Sequence, residues 1–278
     1  MTSISESMKL RFMGSSDGQY RQTCPACSMS RKPHNQQEKC LSIRVEWPTV
    51  KWMCHHCAES GGVSLEIKKH ENVVRFTPPA QKEIAPEALT YLVEKRGLSP
   101  STVAAGKVMS GHKYISKLGK EMLCTGFPYI NDEDQVYAIK WRAVKEKAWT
   151  QDGAAKSFWG IEHVRTDEPL VIVEGELDVL SLKEANIRNA VSVPNGAPIK
   201  VKHGTVSPSE DRKFSFVWEA DDVVSKIERV LIGVDRDGPG AALAEELARR
   251  IGKIKCYQID WPEDCKDAND TLLKHGKA

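Results

Sequence analysis

The last third of the chain alternates between short apolar runs and stretches with helical spacing. PLVIVEG is a β-branched run closed by a carboxylate and a glycine, and ELDVLSLKEAN after it reads as an amphipathic helix. AVSVP is a second apolar run. RVLIGVDRDG repeats the arrangement of apolar strand then acids, PGAALAEELARRIG reads as a helix, and KIKCYQID as another strand. Strands alternating with helices predict a parallel sheet flanked by helices.

Upstream the periodicity changes. From Pro86, EALTYLVEKRG has helical spacing with Gly97 as its stop. MLCTGFPYI and QVYAIKWRAV alternate and are separated by NDED, which predicts a hairpin of short strands within 122–163. The stretch VVRFTPPAQKEIAP, with Pro78, Pro79 and Pro86, reads as extended linker. These shifts divide the α/β chain into a cysteine-rich module at 1–62 and a linker at 63–85. A small mixed α+β subdomain follows at 86–166, then a parallel-sheet domain at 167–278. No run of ~18 apolar residues is present, and the N-terminus lacks an apolar leader core. A cytoplasmic setting without membrane contact is therefore the default expectation.

Charge sharpens this division. Residues 1–165 hold 24 Lys+Arg against 17 Asp+Glu, while residues 166–278 hold 16 against 21. A basic front suits a polyanion, and an acidic back suits divalent metal.

Five of the eight cysteines lie within residues 24–57. CPAC (Cys24, Cys27) and CHHC (Cys54, Cys57) form two C-x-x-C knuckles with 26 residues between them. Four thiolates so spaced suit one tetrahedral Zn²⁺, and KCLSIRVEWPTVKWM between them can supply the strands of a zinc ribbon. Cys40 is expected to be a buried spare. His34, His55 and His56 are alternative ligands in principle, but the knuckles already fill the shell. A closed four-thiolate site is structural, so the module's work is display. Arg31, Lys32, Arg44, Lys51, Trp47, Trp52, His55 and His56 lie on or near it, and cations with aromatic faces suit unpaired nucleic acid. Trp47 and Trp52 can equally be the ribbon's own core.

Glu174 ends LVIVE, and Asp178 falls in the first turn of the helix after Gly175. Asp235 and Asp237 end VLIGVD and flank Arg236, and Asp267 lies in KDAND. In an open parallel sheet such residues converge beyond the carboxyl ends of the strands. Hard oxygen ligands without sulfur or imidazole favour Mg²⁺ or Mn²⁺. Asp178 also reads as a helix-cap acid. Removing one acid should relieve repulsion, so Asp237→Ala is expected not to destabilise the metal-free protein.

EGELD at Glu174–Asp178, DRDG at Asp235–Gly238 and KDAND at Lys266–Asp270 resemble the toprim motifs of primases and topoisomerases. With the N-terminal ribbon, roughly residues 20–276 resemble the primase half of the bacteriophage primase–helicase family, and more distantly the bacterial replicative primases. The resemblance implies DNA primase activity: short RNA primers made on single-stranded DNA from ribonucleoside triphosphates, with two catalytic metals. It implies Glu174, Asp235 and Asp237 as catalytic ligands, with Glu174 a possible base and Asp267 an outer contributor. Lys140, Arg142, Lys147, Lys156 and Lys266 would meet nucleotide and template, and Asn195 and Gly196 would approach the nucleotide. Arg44, Trp52 and His55 would read the template. A replicative helicase is the implied partner. The knuckle spacing is longer than in the phage ribbons, and no GxxxxGK[ST] motor motif occurs. The chain is therefore expected to be a piece of a longer protein or a stand-alone primase. Two other classes stay open: a toprim nuclease, and a non-catalytic DNA-binding module attached to a helicase.

Overall fold

The computed structural model describes residues 4–12, 16–65, 76–79, 83–201 and 211–277, so much of the expected linker (66–75 and 80–82) lies outside the described residues. Three four-stranded sheets follow one another along the chain.

The first is antiparallel and begins with α1 (Ile4–Phe12). β1 (Gly18–Gln22), β2 (Leu41–Glu46), β3 (Thr49–Cys54) and β4 (Ser60–Ser64) pair in sequence order. Alternation in β2 buries Leu41, Ile43 and Val45, and β3 adds Val50 and Trp52 to the same core. A Cβ at Gly61 would lie 2.4 Å from the Trp52 ring, so the bare backbone of β4 lets the indole lie flat against it. Neither α1 nor β1 is legible in the polar N-terminus, yet Met8 and Phe12 reach this core. β4 carries the sheet past residue 62, with Val63 and Leu65 buried.

The second sheet follows α2 (Pro86–Thr90), which continues as a π-helical turn to Lys95 and ends at Gly97 with φ +68°. α3 (Pro100–Ala105) is capped by Ser99. β5 (Met109–Ile115), β6 (Lys120–Ile130), β7 (Val136–Ala143) and β8 (Trp149–Gly153) then form an antiparallel meander. The expected hairpin joins β6 to β7, and the Asn131 side chain accepts from the backbone N–H of Glu133 and Gln135 in its turn. One face of the sheet packs Ile115, Ile139 and Trp141 together. Phe127, Tyr129 and Ala138 on the other face pack against the third unit.

That unit is parallel. β9 (Leu170–Val173) leads into α4 (Glu176–Glu184) and β10 (Ala190–Ser192). The short helices α5 (Ser215–Glu219) and α6 (Asp221–Val224) precede β11 (Val230–Gly233). α7 (Gly238–Ile251), β12 (Cys256–Gln258) and α8 (Ala268–His275) complete it. The strand order is β10-β9-β11-β12. Every residue of β9 is buried, as expected for a central strand covered on both faces. Lys253–Lys255 form a 3₁₀ turn, so β12 is shorter than KIKCYQID suggests.

Besides the apolar packing of Phe127, Tyr129 and Ala138, the units touch at polar points. Glu184 of α4 accepts from the Ser99 backbone N–H at 3.0 Å and from its hydroxyl at 2.8 Å. β4 rests on α7, and Glu59 beside it is buried near Lys253. No helix among the described residues is long and apolar enough to cross a membrane.

Candidate active site and cysteine centre

β9 and β11 are neighbours in register from Leu170↔Val230 to Val173↔Gly233, so the residues just past them emerge side by side. Glu174 Oε1 accepts from the Asp235 backbone N–H at 3.1 Å. Gly240 makes this approach possible: a Cβ there would lie 2.0 Å from the Asp235 carbonyl oxygen and 3.1 Å from Glu174 Oε1.

The other acids sit at helix starts. Asp237 caps α7, its Oδ1 accepting from Gly240 N–H at 2.7 Å. Asp267 caps α8, accepting from Asp270 N–H at 2.7 Å. Asp178 lies in the first turn of α4 and accepts from Gly175 N–H and Asn269 N–H, both at 3.2 Å. Three helix N-termini thus meet the acid-bearing edge, where their dipoles offset part of the crowded charge.

The crowding still shows. Burial, then the neighbouring Asp235, raises Glu174 to about 7. Burial, then Asp267 and Asp235, raises Asp178 to about 8. Asp235 is raised too, by burial and then by Asp267 and Asp237, although Lys266 and Lys147 pull it the other way. The Lys266 ammonium lies 2.5 Å from Asp267 Oδ2 and 3.9 Å from Asp235 Oδ2. A divalent cation fits this edge on the chemistry of its donors: carboxylates held too close to ionise freely without one.

The basic partner face comes from β7. Lys140 Nζ stands 2.9 Å from Glu176 Oε1, which also accepts from the buried Tyr129 hydroxyl at 2.9 Å. Arg142 and Arg96 both donate to the Tyr91 hydroxyl, at 3.1 and 2.8 Å. Arg96 also donates to Asn269 beside Asp267. Sequence reasoning missed Glu176, Tyr91, Arg96 and Asn269. Glu176 offered a signal, as the second acid of EGELD; the others become partners only through contacts distant in sequence. Lys147 is near enough to Asp235 to favour its ionised form. Lys156 is half-buried past β8, and Asn195 and Gly196 follow β10 as exposed residues, with Asn195 donating to the Lys213 carbonyl.

The cysteine centre is compact. The sulfurs of Cys24, Cys27, Cys54 and Cys57 all lie within 4.8 Å of one another. Cys24–Cys57 and Cys27–Cys54 are separated by 3.8 and 3.7 Å. Zn–S bonds of about 2.3 Å give tetrahedral S–S edges of about 3.8 Å, so the four thiols fit such an ion. Burial drives Cys24 to about 12 in the absence of a cation. Cys40 lies behind the quartet, 3.7 Å from the Cys54 sulfur. Arg44 and His55 line a hollow of about 580 Å³ on the ribbon's sheet, together with Tyr20, Arg21 and Lys51. His55 shares a 2.7 Å hydrogen bond with Ser42. Trp52 takes the core place that the sequence also allowed: it is 3% exposed in the ribbon core and also lines the hollow.

Fold and site together define a toprim protein carrying an N-terminal four-cysteine ribbon. The toprim domain family matches residues 168–260. The Arabidopsis thaliana primase homolog protein is 30% identical over 91% of this chain and 77% of its own length. The chloroplastic/mitochondrial Twinkle homolog of the same plant is 31% identical over 91% of this chain, which spans 36% of that relative's length. The chain belongs to the family of toprim primases. The primase fragment of the bacteriophage T7 primase-helicase shares its fold, with TM-score 0.54, 18% identity, and coverage of 92% of this chain and 95% of that one. The RNA polymerase domain of Mycobacterium tuberculosis primase DnaG superposes at TM-score 0.51 with 16% identity, covering 71% of this chain and 74% of that one.

Proposed function

We propose that this chain is a DNA primase that copies single-stranded DNA into short RNA primers from ribonucleoside triphosphates. The observation that carries this reading is the opposition of two charged surfaces. The edge of Glu174, Asp178, Asp235, Asp237 and Asp267 stands beside the basic face of Lys140 and Arg142, with Lys266 between two of the acids. One surface suits hard cations and the other triphosphate and template backbone.

Glu174, Asp235 and Asp237 would hold Mg²⁺ or Mn²⁺, two ions in all, with Asp178 and Asp267 supporting them. When bound, such ions neutralise phosphate charge and favour the ionised form of an attacking hydroxyl. The protein's own share is positioning. Lys140, held by Glu176, and Arg142, held by Tyr91, would orient the triphosphate. Lys147, Lys156, Asn195 and Gly196 are assigned to nucleotide and template on family resemblance alone. Glu174, raised to about 7 by burial and the neighbouring Asp235, is suited to taking up a proton.

The ribbon would carry one structural Zn²⁺ on Cys24, Cys27, Cys54 and Cys57. Arg44 and His55 beside its hollow would meet template bases, with Trp52 behind them in the ribbon core. The domain division proposed on this basis is ribbon, linker, basic subdomain and toprim domain. A replicative helicase, fused or separate, is the partner this reading implies. The experiment is to compare initiation with extension in an Arg44→Ala, His55→Ala double variant. The variant should extend a supplied oligoribonucleotide on its template at the parental rate but lose initiation at preferred template sites. Holding two free nucleotides and an unpaired template together carries an entropic cost that base pairing of a supplied primer already meets. Unchanged site preference in initiation would remove the ribbon from template reading.

A further inference from the structure

One further set of donor atoms gathers outside the two centres above. Asp264, Cys265 and His275 place a carboxylate oxygen, a thiol sulfur and an imidazole nitrogen within 4.8 Å of one another. Asp264 and Cys265 lie on the connection between β12 and α8, and His275 is the last residue of α8. Asp264 Oδ1 is 3.0 Å from His275 Nε2 and 3.5 Å from Cys265 Sγ.

The two separations from the Asp264 oxygen are close to those of a coordination shell. Tetrahedral zinc, with bonds of about 2.3 Å to sulfur and about 2.0 Å to nitrogen and oxygen, has N–O edges of about 3.3 Å and S–O edges of about 3.5 Å. The sulfur–nitrogen edge, within 4.8 Å, needs to close by no more than about 1.3 Å to match, and the His275 ring is exposed. We infer that Asp264, Cys265 and His275 form a second metal site, with three protein ligands, for a divalent cation of the zinc type.

The donor set separates it from its neighbours. One sulfur, one nitrogen and one oxygen select a borderline ion over Mg²⁺, unlike the all-carboxylate edge. Three ligands leave one position open, unlike the closed four-thiolate centre. The position in the fold gives it a consequence. Cys265 directly precedes Lys266 and Asp267, so an ion here would tie the approach to the acid edge onto the far end of α8. The competing use of these groups is a simple clasp, in which Asp264 accepts from His275 and its carbonyl from the Lys274 ammonium. Lys274 Nζ also lies 3.9 Å from the Asp264 carboxylate, and its charge opposes an incoming cation.

The test is a calorimetric titration of Zn²⁺ into the full chain, with its four-cysteine centre already filled and with excess Mg²⁺ on the carboxylates. One additional binding event is expected. His275→Ala should weaken it by roughly tenfold or more. Lys274→Met should tighten it by removing the opposing charge. With Co²⁺ as probe, a sulfur-to-cobalt absorption band should appear at this second equivalent and vanish in Cys265→Ser. Cys265 is buried, so that variant is read beside His275→Ala, which alters an exposed side chain. Absence of an additional event, or an event unchanged in His275→Ala, would overturn the inference and leave the clasp.

Discussion

Lys140 pairs with Glu176, the buried second acid of the EGELD segment, rather than with the neighbouring Glu174. The ammonium is thereby held at the rim of the acid edge while Glu174 accepts from the Asp235 backbone. Glu176→Gln leaves Tyr129 a partner but removes the charge that fixes Lys140. The expected result is a rise in KM for ribonucleotide of roughly threefold to tenfold with kcat little changed, equivalent to about 1 kcal/mol for a lost charge-assisted contact. Steady-state kinetics at saturating template measures it, and an unchanged KM would show that Lys140 needs no such anchor.

Asp237 caps a helix and is proposed as a metal ligand, two roles that substitutions can separate. Its Oδ1 caps α7 through Gly240 N–H, so the expectation that Asp237→Ala leaves stability untouched does not survive the structure. Losing an N-cap costs about 1 kcal/mol. Asp237→Asn keeps an acceptor and loses the charge. Both variants should lose primer synthesis, but only the alanine variant should melt earlier by a few degrees. Equal melting temperatures would remove the capping role.

Metal binding and protonation should be linked at the acid edge. Burial and neighbouring acids raise Glu174 to about 7 and Asp178 to about 8, well above ordinary carboxyl values. In the metal-free protein these groups bind more protons folded than unfolded, so their contribution to stability falls as pH rises from the ordinary carboxyl range through about 8. Mg²⁺ reverses the balance by favouring the ionised forms. Its apparent affinity should climb between pH 6 and about 8, with protons released on binding. Calorimetry in buffers of different ionisation enthalpy would detect the release, and affinity independent of pH over this range would contradict the linkage.

The parallel sheet and its acids were legible because strand, helix and terminal carboxylate repeat at short range. LVIVEG and VLIGVD place Glu174 and Asp235 at strand ends without any knowledge of the fold. The cysteine knuckles were legible for the same reason. Trp52 was not, because burial on Gly61 depends on β3 pairing with β4. Tyr91, Arg96 and Asn269 were invisible because their contacts cross as many as 173 positions of chain. The helix α1 was not legible because the side chains that carry it into the ribbon core, Met8 and Phe12 with Ile4 packed against it, lie in a polar stretch of sequence.

Template-directed synthesis is proposed at the edge shared by Glu174 and Asp235. Its most direct test incubates the zinc-loaded chain with single-stranded DNA of defined sequence, labelled ribonucleotides and Mg²⁺. Products are scored on a sequencing gel for new oligoribonucleotides and, in parallel, for breaks in the DNA. Short RNAs complementary to the template, lost in Glu174→Gln and Asp235→Asn while the template stays whole, are the result expected. Template cleavage that depends on the same two residues, without RNA synthesis, would overturn the primase assignment and make this site a nuclease.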